Sequence, residues 1–433
     1  MVSHNVARVS LGKKTVGALS YDHESGLCAF QYDPSWLNSG VEISPIKLPL
    51  SERIYQFPAL PRETFKGLPG AFADTLPDDF GNAVIDSWLA RSGRDRDSFT
   101  SLERLLYTGT RGMGALEYSP ALDRNLNRNT ALELNSLVAM AQSVLDHRAD
   151  LKKHFSEDES QDALSAILQV GTSAGGARPK AVIGINASRT EIRSGQVDLP
   201  DGFEHYLLKF DGVVERANNK ETFGDPQGYG RMEYAYFLMA QAAGMDISYC
   251  ELLQEGERAH FMTKRFDRIG NQKIHYQSLC AMDHADYKQP GHYSYEQLFS
   301  LMRALKMPKV QALELYRRMV FNIVARNHDD HTKNFGFILN TQNQWQLAPA
   351  FDVAYSYRPG SKWVNSHQLS LNGKRDDFIR EDLLGPAQNF NRDAEVIIEQ
   401  VKDAVSQWPK FAKEAGVFAD FTQEIQQAHR LKI

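Results

Sequence analysis

The densest cluster of reactive side chains is RNHDDHTKN at residues 326–334, where an apolar helical pattern gives way to the strand-like FGFIL. Asp329 and Asn334 are five residues apart, and Asp352 follows eighteen residues after Asn334, directly after Phe351. Phosphotransferase catalytic loops use the five-residue step to place a carboxylate at the acceptor hydroxyl while the Asn returns to a metal ion. A second metal-binding carboxylate follows a strand in these enzymes. Order and spacing together predict phosphoryl transfer, whereas a solvated helix end is the alternative for the cluster alone.

The identity of the acceptor-orienting carboxylate stays open between two neighbours. The spacing to Asn334 selects Asp329, and a shift of one residue selects Asp330. Residues 328–331 of this cluster have the sequence HDDH. A two-histidine metal centre of a phosphohydrolase is therefore a second interpretation of this cluster.

A glycine-rich segment, GTSAGGARPK at residues 171–180, lies between the strand-like runs ILQV and AVIGI. Glycines let backbone N–H groups approach phosphate oxygens without an intervening Cβ, which favours an anion site. Arg178 and Lys180 add positive charge beside it, while Pro179 removes one backbone donor. The segment predicts a phosphate-binding loop, with a plain hairpin turn as the alternative.

Two further features favour nucleotide binding. Lys209 interrupts the apolar strand-like run HYLLKF, and Glu233 lies 24 residues later near the start of the helical run RMEYAYFLMAQAAG. The two could pair as the kinase Lys and Glu do, orienting the amine toward the α and β phosphates. TKRFDR, residues 263–268, suits a crossing segment between lobes against which an adenine lies. The alternatives are a solvent-facing side chain for Lys209, an acid that complements a helix N-terminus for Glu233, and a surface Arg/Asp turn for residues 263–268.

The elements that must position these residues change along the chain. Residues 5–32 alternate apolar and polar types around the turn HESG, which predicts short antiparallel strands. Pro77, Asp78 and Asp79 precede an apolar-periodic run, as at a helix start, and residues 130–155 carry apolar positions at helical spacing. An α+β region follows, and after Arg268 the pattern is largely helical apart from a predicted hairpin, FGFILNTQNQWQLAP.

Composition limits the classes of function. The chain has 433 residues, 42% of them apolar and 24% charged, which fits a globular protein of two or three domains. Its formal net charge of −5 gives no global basic field for nucleic acid or anionic membranes. Cys28, Cys250 and Cys280 are too few and too far apart for a disulfide framework. Without an apolar signal segment or a run of roughly 18 apolar residues, we expect a cytoplasmic protein with no membrane partner.

In chain order these features resemble the HipA-type serine/threonine kinases, the toxins of HipA/HipB toxin–antitoxin systems. The resemblance covers nearly the whole chain. Besides the motifs above it includes SLGKKTVGALSY near the N-terminus, GAFADTLPDDFG, GALEYSP at residues 114–120 and SLNGK at residues 370–374. Asn327-His328-Asp329 and Asp352-Val353-Ala354 stand where eukaryotic-type kinases have HRD and DFG.

The resemblance implies an α+β, bilobal protein-kinase-like fold. Residues 1–125 would form a β-rich, then helical, N-terminal subdomain; residues 126–268 would form the N-lobe-like region; residues 269–433 would form a largely helical C-lobe. It also implies an ATP- and Mg²⁺-dependent protein kinase that inhibits translation by phosphorylating a protein such as an aminoacyl-tRNA synthetase. Its implied partners are a HipB-like helix-turn-helix antitoxin dimer and, through that complex, operator DNA, which it would co-repress.

The resemblance also assigns roles to individual positions. Asp329 matches the catalytic Asp, and Asn334 and Asp352 match the metal ligands. Ser173 matches the autophosphorylation site, with Thr172 as an alternative, and phosphorylation there would expel the glycine-rich loop. The matching ATP-binding positions are Gly175, Gly176, Ala177, Arg178, Pro179, Lys180, Lys209, Lys264, Arg265, Phe266, His331, Thr332, Lys333, Asn334, Phe351 and Asp352.

Two further rivals accompany the phosphohydrolase. A small-molecule kinase of the aminoglycoside or choline type shares an Asp, a five-residue step to Asn and a following Asp, although residues 1–160 argue against it. A DNA-bound co-repressor with a vestigial kinase fold is the rival outside enzymology. With a net charge of −5, we expect the antitoxin to supply most of the phosphate contacts in such a complex.

Overall fold

The computed structural model describes residues 4–91, 98–122, 131–146, 179–217, 220–225, 227–387 and 390–433. The chain divides into two compact units. The first comprises Met1–Ser44, Leu48–Gly230 and Leu253–Tyr276, and the second comprises Pro45–Lys47, Arg231–Leu252 and Gln277–Ile433.

The first unit begins with an antiparallel sheet in the order β3-β2-β1-β4. Its strands are β1 (Val6–Leu11), β2 (Lys14–Asp22), β3 (Leu27–Tyr32) and β4 (Leu116–Ser119). Alternate residues such as Val9, Leu19 and Phe30 are buried, so the alternation in the sequence marks the face that packs on the core. The Asp22 carboxylate accepts from the N–H groups of Glu24 and Ser25 and closes the predicted turn between β2 and β3.

The described helices of the first unit up to residue 146 lie between β3 and β4 or after β4 in the sequence. They are α1 (Pro34–Leu37), α2 (Arg62–Phe65), α3 (Gly70–Ala73), α4 (Asp79–Arg91), α5 (Ser101–Thr108) and α6 (Leu134–Asp146). The start of α4 confirms the predicted helix start: the Asp78 carboxylate caps it, accepting from the N–H of Gly81 at 2.6 Å. The helix predicted from residue 130 begins only at Leu134, because Ala131–Leu132 forms a short strand, β5, that pairs with Ile192 and Arg193.

A six-stranded sheet in the order β11-β12-β8-β6-β7-β5 forms the main core of the first unit. Its further strands are β6 (Lys180–Asn186), β7 (Ile192–Ser194), β8 (Phe203–Lys209), β11 (Cys250–Glu255, from Leu253 in this unit) and β12 (Arg258–Lys264). Ile183, Leu208 and Met262 belong to its apolar cluster. Two hairpins accompany it, β9 (Val213–Ala217) with β10 (Lys220–Asp225) and β13 (Arg268–Ile269) with β14 (Gln272–Lys273).

The second unit is largely helical, as predicted after Arg268. Its helices are α7 (Tyr229–Ala242, from Arg231 in this unit), α8 (Leu279–Asp283), α9 (Tyr295–Ala304), α10 (Lys309–Val324), α11 (Arg380–Leu384), α12 (Asn391–Ser406), α13 (Trp408–Ala415) and α14 (Ala419–Ala428), with a 3₁₀ turn at Gly385–Ala387. The antiparallel pair of β16 (Gly336–Leu339) and β17 (Trp345–Leu347) confirms the predicted hairpin, with Phe337 opposite Leu347, and β15 (His275–Ser278) belongs to this unit from Gln277. None of the helices in the described ranges combines the length and apolar character of a membrane span.

Candidate active site

The RNHDDHTKN segment is held by the end of α10. Arg326 adopts a left-handed conformation, with φ at 57°, which ends the helix. Asn327 then donates to Asn322 twice: its backbone N–H to the carbonyl at 2.9 Å and its side-chain amide to Oδ1 at 2.9 Å. Four residues after Asp330, the N–H of Asn334 bonds to the carbonyl of His331 at 2.9 Å, just before β16 begins. Hydrogen bonds at both ends therefore fix the loop.

The side chain of Asp330 lies in the interior of the second unit. Its side chain is fully buried and accepts from the Tyr295 hydroxyl at 2.7 Å, His367 Nδ1 at 2.9 Å and the Gln368 N–H at 2.7 Å. Burial and the neighbouring Asp330 raise the pKa of Tyr295, which therefore remains a neutral donor. The side chain of Asp329, by contrast, is 39% exposed. The geometry favours Asp329 as the carboxylate that a substrate can reach.

Asn334 and Asp352 line the same concave pocket of the second unit, together with Asn327 and Phe351. Asn334 donates through Nδ2 to the carbonyl of Asp329 at 2.7 Å, so its Oδ1 is directed away from that bond. Asp352 directly follows Phe351 and has a φ of 55°, a left-handed conformation that Asp tolerates better than most residues. The loop and the segment after β17 thus each contribute one of these two residues to the lining of a single pocket.

This donor pair suits Mg²⁺. Hard oxygen ligands are what Mg²⁺ prefers, and in phosphoryl-transfer sites it takes one or two protein ligands and completes its shell with phosphate oxygens and water. Within the described ranges no three His, Cys, Asp or Glu side chains gather as a metal cluster. The pair therefore fits a metal that arrives with a nucleotide, and the described part of the chain offers no two-histidine centre for a phosphohydrolase.

The histidines of the loop differ in their surroundings. His328 is fully buried, and its ring lies 4.1 Å from that of His367. Burial, His367 and Arg326 together lower the pKa of His328 to about 2, so it is neutral in the folded protein at physiological pH. His331 is part-buried, with Nε2 at 3.8 Å from the Asp329 carboxylate and its ring 5.5 Å from that of Tyr287. Of the two, only His331 lies beside the candidate acceptor carboxylate.

The other two residues of the predicted nucleotide-lining stretch point in different directions. The hydroxyl of buried Thr332 donates to the carbonyl of Ala285 at 2.6 Å and so serves the fold. The Lys333 ammonium lies 5.0 Å from the centre of the Tyr287 ring and is part-buried. The Lys333 ammonium therefore lies beside the Tyr287 ring, while the Thr332 side chain lies in the interior.

Two lysines lie side by side on neighbouring strands of the main sheet of the first unit. Lys180 on β6 and Lys209 on β8 are directly opposite in register, and their exposed fractions are only 3% and 7%. The Lys180 ammonium lies 3.5 Å from the carboxylate of buried Asp78, and the Lys209 ammonium lies 5.6 Å from the centre of the Phe261 ring. A phosphate bound here would draw on the charge of these lysines, with the Asp78 carboxylate as a competing partner of Lys180. From the sequence, Asp78 is predicted only as part of a helix start, because Lys180 lies 102 residues further along the chain.

The predicted hinge residues are engaged within the first unit. Lys264 forms an ion pair with Glu204, and the ring of Phe266 lies 5.4 Å from that of Tyr276. Arg265 is buried and binds Asp267 through two hydrogen bonds, at 2.8 and 2.6 Å, while its N–H donates to His205. The Arg/Asp turn is therefore an internal ion pair and not a surface feature.

Asp267 is shared by a second guanidinium. Arg268 also binds it at 2.8 Å, and the N–H of Gly114, in the GALEYSP motif, donates to it at 2.8 Å. Burial acts to raise the pKa of Asp267, but Arg265 and Arg268 hold it well below its usual range. This network joins the GALEYSP and TKRFDR segments within the first unit.

Several predicted site residues are not placed. Thr172, Ser173, Gly175, Gly176, Ala177 and Arg178 lie outside the described residues, and Pro179 and Lys180 are the first positions described after them. Glu233 is buried on α7 in the second unit, whereas Lys209 belongs to the first. Their pairing, and the convergence of the residues of the two units on one nucleotide, stay predictions.

Comparison with known proteins agrees with the motifs. A family model described as the HipA-like C-terminal domain matches residues 172–408, and one described as the HipA N-terminal domain matches residues 7–119. A Haemophilus influenzae protein named "Putative kinase" is 27% identical in an alignment of 224 positions that covers 44% of this chain and 65% of that protein. "Putative kinase Y4mE" of Sinorhizobium fredii is 27% identical in an alignment of 200 positions that covers 43% of this chain and 42% of that protein. The chain thus matches less than two thirds of the length of either relative.

A solved structure shares the fold over almost the whole chain. It is that of the Shewanella oneidensis MR-1 toxin–antitoxin system, HipA and HipB with operator DNA. The alignment has a TM-score of 0.65 at 16% identity and covers 97% of this chain and 95% of the other. The predicted α+β, kinase-like fold, with its β-rich N-terminal part and largely helical C-terminal part, is thereby confirmed.

Proposed function

The chain belongs to the HipA family, and on this basis we propose that it is an ATP- and Mg²⁺-dependent protein serine/threonine kinase. The observation that carries the proposal is the shared pocket of Asn334 and Asp352 beside the loop of Asp329. Asn334 and Asp352 would supply the two oxygen ligands from the pocket, which Asp330 also lines. Asp329, whose carbonyl is bonded to Asn334 Nδ2, would supply the acceptor-orienting carboxylate from the adjoining loop.

Each group has a defined task in this proposal. Bound with ATP, Mg²⁺ would neutralise charge on the β and γ phosphate oxygens. Asn334 Oδ1 and the Asp352 carboxylate would hold it, and the bond from Asn334 Nδ2 to Asp329 keeps the amide in one orientation. Asp329 would accept a hydrogen bond from the serine hydroxyl and orient it toward the γ phosphorus. Lys180 and Lys209 would balance the phosphate charge.

The biological role in this proposal is that of the toxin of a type II toxin–antitoxin system in the cytoplasm. The kinase would phosphorylate a protein such as an aminoacyl-tRNA synthetase, inhibit translation, and silence itself by autophosphorylation at Ser173. A HipB-like antitoxin dimer would bind it and bring it to operator DNA, as the Shewanella HipA was solved with HipB and its operator. Because the net charge is −5, the antitoxin would make most of the phosphate contacts.

Mass spectrometry after incubation with Mg·ATP tests the activity. Phosphoserine or phosphothreonine on the chain, absent from Asp329→Ala, supports the protein kinase. Release of free phosphate without phosphoprotein would favour a phosphohydrolase instead. Phosphate transferred only to added choline or aminoglycoside would favour a small-molecule kinase. Phosphoproteomics after induced expression then identifies the protein substrate.

A further inference from the structure

One carboxylate in the second unit holds two guanidinium groups beside the loop that carries Asp329. Arg326 Nη1 lies 3.3 Å from Asp376 Oδ1, and Arg430 Nη2 binds the same oxygen. Arg326 and Arg430 come from the end of α10 and from the residues after α14, 50 and 54 residues from Asp376. Asp376 therefore joins three segments that are distant in sequence.

Arg326 occupies a position from which it can set the geometry of the loop. It directly precedes Asn327, and its carbonyl accepts from the N–H of Ser356 at 3.1 Å, four residues after Asp352. Its Nε donates to the carbonyl of Ala428 at 3.0 Å, and its guanidinium lies 4.4 Å from the centre of the Tyr357 ring. A shift of Arg326 would thus reach both the Asp329 loop and the segment of Asp352.

The charges explain why the carboxylate is needed. The side chains of Arg326 and Arg430 are only 15% and 12% exposed, and that of Asp376 is 29% exposed. Burial and the neighbouring Arg326 lower the pKa of Arg430 only to about 10, so both guanidinium groups are charged at neutral pH. Two like charges this close, largely removed from water, repel one another unless an anion lies between them.

We propose that Asp376 is a positioning residue, a resident anion that fixes Arg326 and through it the loop of Asp329 relative to Asp352. Kinases of several kinds order their active site when a phosphate added to a loop pairs with arginine. Here Asp376 supplies that negative charge permanently, so ordering of the loop requires no phosphorylation near residues 353–378. This inference rests on the proposed kinase function, because it concerns the rate of that transfer.

Steady-state kinetics of three single variants of the full chain test the role. Asp376→Asn keeps the shape of the side chain and removes its charge, and we expect kcat to fall about 10- to 100-fold with KM for ATP within about twofold of wild type. Asp376→Glu restores the charge and should recover most of kcat. Asp403→Asn makes the same change at an exposed residue of α12 and should leave kcat within about twofold of wild type.

Three results would overturn the positioning role. These are a wild-type kcat in Asp376→Asn, equal losses in Asp376→Asn and Asp403→Asn, and a loss in Asp376→Asn that Asp376→Glu does not recover. Should Asp376→Asn fail to fold, Arg326→Gln tests the same contact from the other side. It should lose kcat to a similar extent, and a wild-type kcat there also contradicts the proposal.

The wild-type chain and Asp329→Ala, assayed in parallel, separate this inference from the proposed function. If wild type transfers phosphate and Asp376→Asn does so equally well, only the role of Asp376 is wrong. If wild type with Mg·ATP and a serine-containing protein transfers none, the kinase proposal fails and the role of Asp376 fails with it.

Discussion

The backbone N–H of Gln368 donates to the carboxylate of Asp330 at 2.7 Å, across 38 residues of sequence. Together with the bonds from Tyr295 and His367 it ties the loop of Asp329 to the segment that continues into SLNGK. Of two adjacent aspartates, one is therefore used to hold the loop and the other remains accessible. Substitution of Asp330 is therefore expected to lower stability, and substitution of Asp329 to lower the rate of transfer.

Asp330→Ala should destabilise the fold. The substitution leaves the Tyr295 hydroxyl, His367 Nδ1 and the Gln368 N–H buried without their shared acceptor, and we expect a loss of about 3 to 5 kcal/mol in the free energy of unfolding. Urea denaturation measures it. The control, Glu424→Ala at an exposed position on α14, should change stability by less than about 0.5 kcal/mol. Equal stabilities of the two variants would show that the Asp330 network does not hold the loop.

Stability should fall as the pH is lowered from about 6.5 to 4. Burial lowers the pKa of His275 to about 4, so across this range the unfolded chain binds a proton at this residue that the folded chain does not. Each such group makes the free energy of unfolding rise with pH by about 1.4 kcal/mol per unit, until the pKa of the unfolded state is passed. His205, His284 and His429 have pKa values lowered in the same direction.

His275→Gln isolates one of these contributions. Gln can still donate toward the carbonyl of Ile43, which His275 Nε2 contacts at 2.8 Å, but it does not titrate. Urea titrations at several pH values should give a curve that is less steep than that of wild type between pH 4 and 6.5. Parallel curves for the two proteins would contradict the assignment.

Asp267→Asn should weaken the first unit. The change leaves Arg265 and Arg268 buried without the carboxylate that both bind, and we expect a loss of about 3 kcal/mol. Thermal and urea denaturation measure it. Asp201→Asn in the loop before β8 serves as a surface comparison. An Asp267→Asn variant as stable as wild type would mean that the two guanidinium groups find other partners.

Ser173→Asp should lower the affinity for ATP. A negative charge in the glycine-rich segment would repel the nucleotide phosphates and favour expulsion of that segment. Calorimetry with Mg·ATP measures the affinity, with Ser173→Ala as the uncharged control and Thr172→Asp as the test of the neighbouring hydroxyl. Full affinity in Ser173→Asp, or a loss only in Thr172→Asp, would contradict the assignment to Ser173.

Features set by neighbours in sequence were predictable. The start of α4 follows from Asp78 and the apolar period after it, and the β16–β17 hairpin follows from alternation around a polar turn. The strand at Ala131–Leu132 could not be predicted, because two residues become a strand only by pairing with Arg193 and Ile192, 62 and 60 residues later.

The residues of the candidate site divide in the same way, into local spacings that could be predicted and distant contacts that could not. The step from Asp329 to Asn334 is local and readable, as is the position of Asp352 after an apolar run. The burial of Asp330, the Asp78–Lys180 ion pair and the two arginines on Asp376 depend on partners 35 to 102 residues away. A single sequence carries no signal for such pairs, so the choice between Asp329 and Asp330 needed the structure.

The central claim is that this site transfers phosphate from ATP with Asp329 orienting the acceptor. Phosphate incorporation into protein from Mg·ATP, measured for wild type and Asp329→Ala at equal nucleotide occupancy, tests it most directly. We predict that Asp329→Ala binds Mg·ATP with an affinity close to that of wild type but incorporates phosphate about 100- to 10,000-fold more slowly. Incorporation at the wild-type rate in Asp329→Ala would contradict the account.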